Sequence, residues 1–140
     1  MSRIFWDSNL FIYLLEDHPE FAQAVADLRR KMLERGDQLL TSALTLGEVL
    51  VKPLALDDLD LSRTYEQMLG RAAVVLPFDG KAARRYAAIR KDRSVKAPDA
   101  IQLACASEAG ADLFVTNDRR LQGKRVEGIQ FIVALDQVPI

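Results

Sequence analysis

The sequence predicts an α/β fold, a three-layer sandwich with a central, mainly parallel sheet of about five strands and helices on both faces. Three observations lead there. Short apolar runs alternate along the chain with longer segments whose apolar positions recur at helical spacing. Strands separated by helices need crossover connections, which favour parallel pairing. A chain of 140 residues, 49% hydrophobic, suffices for one domain over residues 1–140 and leaves no room for a second.

Arg3–Trp6 reads as the first strand, ended by the turn and cap residues Asp7, Ser8 and Asn9. Leu10–Leu15 follows as one or two buried helical turns. Pro19 opens a second helix, in which Phe21, Val25, Leu28, Met32 and Leu33 fall on one face and Gly36 closes the run. Gln38–Thr41 is a second strand, and Ala43–Lys52 a short helix stopped by Pro53. Asp60–Leu69 suggests another helix, within a stretch (54–71) that carries no recognisable motif. Ala73–Leu76 is a third strand, and Asp79-Gly80 leads into a long basic helix reaching about Arg93. Pro98 opens a helix to Gly110. Leu113–Val115 is a fourth strand ending in Thr116-Asn117-Asp118, and Ile129–Ala134 a fifth. Asp7 and Asp118 therefore both follow strands, on the carboxyl edge where open α/β sheets collect ligands.

Several chemistries are excluded. Cys105 is the only cysteine, so there is no intrachain disulfide and no cysteine-based zinc site, and its apolar helix marks it as packing. His18, the only histidine, precedes Pro19 in a loop, which removes RNA cleavage by paired imidazoles. Neither a glycine-rich phosphate loop nor a Gly-x-Ser-x-Gly elbow is present. No apolar run is long enough to span a bilayer, and the N-terminus meets Asp7 before any signal-peptide core can form. The expected setting is cytoplasmic, with no membrane partner. Net charge is −1, which argues against a protein held to nucleic acid by bulk charge. The cations are nonetheless clustered. Lys81, Arg84, Arg85, Arg90, Lys91, Arg93 and Lys96 stand against one acid, Asp92, and Arg119, Arg120, Lys124 and Arg125 form a second knot. A solvated helix face is the plainer reading of such runs.

What remains are acids in unusual settings. The helix around Glu48 is apolar nearly all round, which predicts burial, with Thr45 and Glu48 as its only polar stripe. A buried carboxylate needs a positive partner, a raised pKa or an opening to water. Asp99 sits in the first turn of a second largely apolar helix. Taken singly, Asp7, Asp99 and Asp118 read as helix or turn caps. Taken together, two acids at strand ends and two on apolar helices can meet at one edge. Four crowded carboxylates need a counter-charge, and a hard divalent cation with oxygen ligands supplies it. With no histidine or cysteine in the set, Mg²⁺ or Mn²⁺ suits it best. Such a site serves phosphodiester hydrolysis.

Asp7-Ser8-Asn9, Thr45-Leu46-Gly47-Glu48, Pro98-Asp99-Ala100-Ile101-Gln102-Leu103-Ala104 and Thr116-Asn117-Asp118-Arg119-Arg120-Leu121 resemble, in order and spacing, the motifs of PIN-domain ribonucleases. The likeness is nearest to the small bacterial VapC-type toxins of toxin–antitoxin systems and spans nearly the whole chain. It implies a PIN-like fold and a Mg²⁺- or Mn²⁺-dependent endoribonuclease whose acidic quartet falls on Asp7, Glu48, Asp99 and Asp118. It also implies supporting polar roles for Asn9, Thr116 and Asn117, and makes Lys96, just before the third acid, a candidate phosphate contact. Arg93 and Arg119 are further candidates for holding RNA. Leu121 departs from the family's usual Phe, which touches packing behind the last motif and no catalytic position. The resemblance further implies a small antitoxin partner and a homodimer. Rival readings are a non-catalytic PIN-like module that grips a basic peptide, and a PIN ribonuclease outside any toxin–antitoxin pair. A phosphoacceptor receiver or an aspartyl phosphatase would need a second acid beside Asp7, where Ser8 and Asn9 stand.

Overall fold

A computed structural model describes residues 1–140. Five strands, β1 (Arg3–Trp6), β2 (Gln38–Ser42), β3 (Val74–Leu76), β4 (Leu113–Val115) and β5 (Phe131–Val133), form one sheet in the order β3-β2-β1-β4-β5. Every pairing is parallel, with Phe5 opposite Leu40 on one side and Phe114 on the other. Strand residues alternate between two cores, as the period of two requires. Ile4, Trp6, Leu39, Leu113 and Val115 join one core. Phe5, Leu40, Phe114 and Ile132 join the other, where the Phe5 and Phe114 rings stack at 5.1 Å.

The first core is covered by α1 (Ser8–Leu15), α2 (Ala22–Arg35), α3 (Ala43–Ala55) and α4 (Leu59–Ala72), the second by α5 (Gly80–Ile89) and α6 (Ala97–Glu108). This is the α/β sandwich the sequence predicts. Successive connections leave β1 toward β2 and β3, then return to place β4 on its other side. The β1–β4 junction is thus the topological switch point, where the loops following the two strands separate and leave a crevice.

Three boundaries and the burial of one helix differ notably from the sequence-based expectation. The second helix starts at Ala22 rather than Pro19, because His18 Nδ1 accepts the Glu20 and Phe21 amides (3.1 and 3.2 Å) and ties residues 18–21 into a turn. Pro53 does not stop α3, which runs on to Ala55. Proline only withholds the N–H that the Val49 carbonyl would accept, and later carbonyls are served by Leu56 N, Asp57 N and Asp58 N. The basic helix ends at Ile89, four residues short of Arg93, where Asp92 accepts from the Ser94 amide and buries Val95. Finally, α3 is not buried all round. Val49 and Pro53 pack inward, while Glu48 is exposed and Val51 and Leu54 are 65% and 49% exposed.

Candidate active site

Asp7 follows β1 and caps α1, its Oδ1 accepting the Ser8 amide at 2.8 Å. Its Oδ2 accepts from the Thr116 hydroxyl at 2.8 Å, and Thr116 Oγ1 in turn accepts the Asp118 amide at 3.0 Å. The residue after β1 and the turn after β4 are thereby sewn together across the switch point. Asp7 is buried, and that desolvation pushes its pKa up to about 6. The bonds from Thr116 and Ser8 oppose the shift, while the nearby Asp99 and Glu48 charges add to it.

Asp99, in the first turn of α6, is half-buried, with its pKa raised by desolvation first and then by Asp118. Glu48 raises it further, while Arg120 and Lys96 lower it. Asp118 is held low chiefly by its hydrogen bonds to Arg120. Asp99 and Glu48 thus act on Asp7, and Asp118 and Glu48 on Asp99, at one edge of the sheet. Acids on the opposite edge of the sheet are spent differently, Asp37 on the Ser2 amide and Asp112 on the Arg3 amide.

Two features are absent from the sequence-based account. The first is a buried polar hub. Gln102 Nε2 donates to Ser8 Oγ (2.7 Å) and Thr45 Oγ1 (2.8 Å), and its Oε1 accepts from Ser42. Ser8 Oγ donates to Glu48 Oε1 at 2.7 Å, so a chain of bonds runs from α6 through α1 to the carboxylate on α3. The signal was a glutamine one turn after Asp99, on a helix otherwise apolar at that point. The second is Arg120, whose Nε and Nη2 donate to Asp118 Oδ1 and Oδ2 at 3.0 and 2.8 Å. Its Nη2 also lies 4.0 Å from Asp99. A guanidinium thus sits among the acids as a counter-ion, and an arginine two residues after Asp118 was the available sign.

The remaining expected residues divide. Thr116 is buried and bonded to Asp7, and Lys96 is near enough to influence both Asp99 and Asp118. Asn117 is half-buried and Asn9 exposed, and neither donates to an acid. Arg93 and Arg119 are exposed and hold no ion pair. Cys105 is buried with its thiol pushed up to about 11 by desolvation, in keeping with a packing role. As arranged, no three acidic, histidine or cysteine side chains are gathered tightly enough to hold an ion. The donor set itself is all hard oxygen, with an under-compensated buried carboxylate at its centre and a cation already drawn to its rim. By its chemistry such a donor set fits a hard divalent ion.

Structures of similar shape belong to toxin–antitoxin complexes. VapBC2 from Rickettsia felis bound to a DNA fragment from its promoter matches with a TM-score of 0.75 at 14% identity, covering 94% of this chain and 98% of that one. DNA-bound VapBC from Salmonella typhimurium matches at 0.74 and 22% identity, covering 96% and 99%. A toxin–antitoxin complex from Klebsiella pneumoniae matches at 0.64 and 20%, covering 93% and 99%. No curated protein sequence matches. The family model described as the PIN domain matches residues 4–126, from β1 past the Asp118 turn. The chain belongs to the PIN domain family.

Proposed function

We propose that the chain is a divalent-metal-dependent endoribonuclease and the toxin of a toxin–antitoxin pair. The observation that carries this reading is the convergence of Asp7, Glu48, Asp99 and Asp118 at the switch-point edge, with Asp7 buried and short of counter-charge. PIN-domain nucleases generally use divalent metal ions, and this oxygen-only donor set suits Mg²⁺ or Mn²⁺. Asp7, Asp99 and Asp118 would hold the ion, with Glu48 completing the set or orienting water. Bound there, the ion supplies positive charge for a phosphate oxygen and makes water acidic enough to be a nucleophile near neutral pH.

The chain's own residues set the stage for that step. Thr116 and the Ser8 amide fix both oxygens of Asp7, leaving each with a free lone pair. The Gln102–Ser8 relay fixes one oxygen of Glu48 and leaves the other to take a proton from water. Lys96, at the N-cap of α6 and close enough to influence Asp99, would meet a phosphate there, with Arg93 and Arg119 as outlying contacts.

The toxin assignment rests on the shape shared with the toxin–antitoxin complexes and on an apolar corner where α3 meets α4. There Val51, Leu54, Leu56 and Leu59 are all about half exposed or more. A partner, whether a small antitoxin or a second copy of the chain, would cover that surface. No helix is long and apolar enough to cross a membrane.

Purified protein incubated with total RNA and Mg²⁺ should cleave it, EDTA should stop the reaction, and Asp99→Asn should fold normally yet leave RNA intact. Cleavage unaffected by EDTA or by that substitution would refute the reading. The bidentate grip of Asp118 on Arg120 favours one rival, a non-catalytic module that receives a guanidinium from a partner peptide. It predicts no metal-dependent cleavage at all.

A further inference from the structure

Away from the acids, α5 and the C-terminal half of α6 enclose with residues 91–95 and 124–127 an open cavity of about 900 Å³. Six of its lining residues are cations and three are acids. Two pairs account for part of this charge, Arg85 Nε with Glu108 at 2.6 Å and Lys124 Nζ with Asp92 at 2.8 Å. Lys81, Arg84, Lys91 and Arg125 hold no ion pair and face only Glu127 as a remaining acid. Lys81, Arg84 and Arg85 recur at i, i+3 and i+4, one face of α5, so the cations form a row rather than a scatter.

The floor of this groove is fixed. Arg85 Nη1 donates to Ser107 Oγ at 2.9 Å, and Ser107 Oγ donates to the Glu127 carbonyl. Gly128, at φ 91°, presses so close to α6 that a Cβ there would stand 2.6 Å from the Ser107 carbonyl oxygen. Its position relative to the acids follows from the chain. The wall at 91–95 runs directly into Lys96 and Asp99, and the wall at 124–127 follows the Asp118 turn. Lys124 pins the two walls together by donating to both Asp92 and Ser94.

We infer that this groove is a binding track for the sugar–phosphate backbone of single-stranded RNA flanking the bond to be cut. The inference rests on the ribonuclease reading and adds to it where the substrate's affinity comes from. An acidic cluster repels the phosphate it must cleave, so the attraction has to come from cations set apart from it but in line with it. The row of unpaired cations supplies that, and no aromatic side chain lines the groove, so bases are not read there. Binding is therefore electrostatic, tolerant of sequence and steeply dependent on salt.

The test uses the full-length Asp99→Asn protein, to prevent cleavage, and a fluorescein-labelled poly(U) RNA. Adding Arg84→Glu with Arg125→Glu should weaken binding roughly ten-fold or more at low salt. It should also make the log–log salt dependence shallower by roughly 1.4, two phosphate contacts at about 0.7 each. Lys31→Glu with Arg71→Glu makes the same change in net charge on exposed positions away from the groove, and should leave both quantities nearly unchanged. Circular dichroism and melting curves confirm that each variant folds. Equal losses in the two pairs, or no loss in either, would overturn the inference. So would a polyglutamate peptide that displaces the RNA at matching charge concentration, which would mark the groove as a site for an acidic protein segment. Failure of the ribonuclease reading is seen separately, as wild-type protein that binds the RNA through the groove and does not cut it.

Discussion

Replacing Asp7 with Asn should stabilise the ion-free protein at neutral pH while removing its response to divalent metal. The Asp7 carboxyl has its pKa raised from 3.8 to about 6, first by burial and then by the charges of Asp99 and Glu48. Between those two values the unfolded chain gives up the proton and the folded chain keeps it. Stability therefore falls as pH rises from about 4 to about 6, and levels off above. A shift of roughly two units, at 1.36 kcal/mol each, amounts to ~3 kcal/mol. That is a large share of the ~5–15 kcal/mol expected for a small domain. Asparagine keeps an acceptor for the Ser8 amide but turns one oxygen into a donor facing the Thr116 hydroxyl. Thr116 must then rotate to accept, at a cost of about 1 kcal/mol. The net gain at pH 7 is then ~2 kcal/mol. Urea unfolding in EDTA across pH 4 to 7 measures it. Wild type should lose stability across that window, and Asp7→Asn should lose markedly less. Adding Mg²⁺ at pH 7 should raise the midpoint of wild type and leave the variant where it was. A variant less stable than wild type at pH 7, with an unchanged pH slope, would show that the Asp7 carboxylate carries no uncompensated charge.

Three other perturbations have defined outcomes. Arg120→Ala removes a unit charge about 4 Å from Asp99. Titration with Mn²⁺ should give roughly five-fold tighter binding, and the Asp118 carboxyl pKa should rise because its bidentate partner is gone. Gln102→Leu strips Ser8, Thr45 and Ser42 of a shared partner in a buried setting and should cost ~2–3 kcal/mol by urea unfolding. Gly128→Ala places a methyl against the Ser107 carbonyl at a positive φ and should cost ~1–3 kcal/mol, read the same way.

The sheet was legible because each of its strands is bounded by residues that cannot continue it. Leu113–Val115 runs into Thr116-Asn117-Asp118, and Arg3–Trp6 into Asp7-Ser8-Asn9. Those same terminators put two acids on the carboxyl edge, so half of the site came with the topology. Pro53 misled because a proline in the last turns of a helix withholds one hydrogen bond and breaks nothing else. The surroundings of Glu48 misled for a different reason. A helix apolar all round predicts burial, yet Val51 and Leu54 face outward, a surface that intrachain packing leaves uncovered. Periodicity cannot tell a residue buried by its own fold from one reserved for a partner. The Gln102 hub was hidden because its five side chains come from four separate segments, and only the folded sheet edge brings them within hydrogen-bonding distance.

The two ends of the charge distribution are best understood together. A cluster of carboxylates stable without any cation would bind divalent metal poorly, since its charge would already be neutralised. Here compensation is partial. Asp118 is held low by Arg120, while Asp7, the most buried of the four, has hydroxyl and amide donors but no cation of its own. The deepest position is therefore where an added positive charge gains most. The cations able to attract a polyanion are kept on α5 and the 124–125 segment, with only Lys96 and Arg120 close to the acids. Had the row on α5 bordered the acids directly, the two sets would have paired and cancelled. Under the proposed function, their separation would let one small protein hold a cation and an RNA backbone at once. A lysine introduced beside Asp7, as in Asn9→Lys, should therefore lower divalent-ion affinity more than it improves RNA binding. Parallel Mn²⁺ and poly(U) titrations decide the point, and equal or opposite effects would contradict this division of charge.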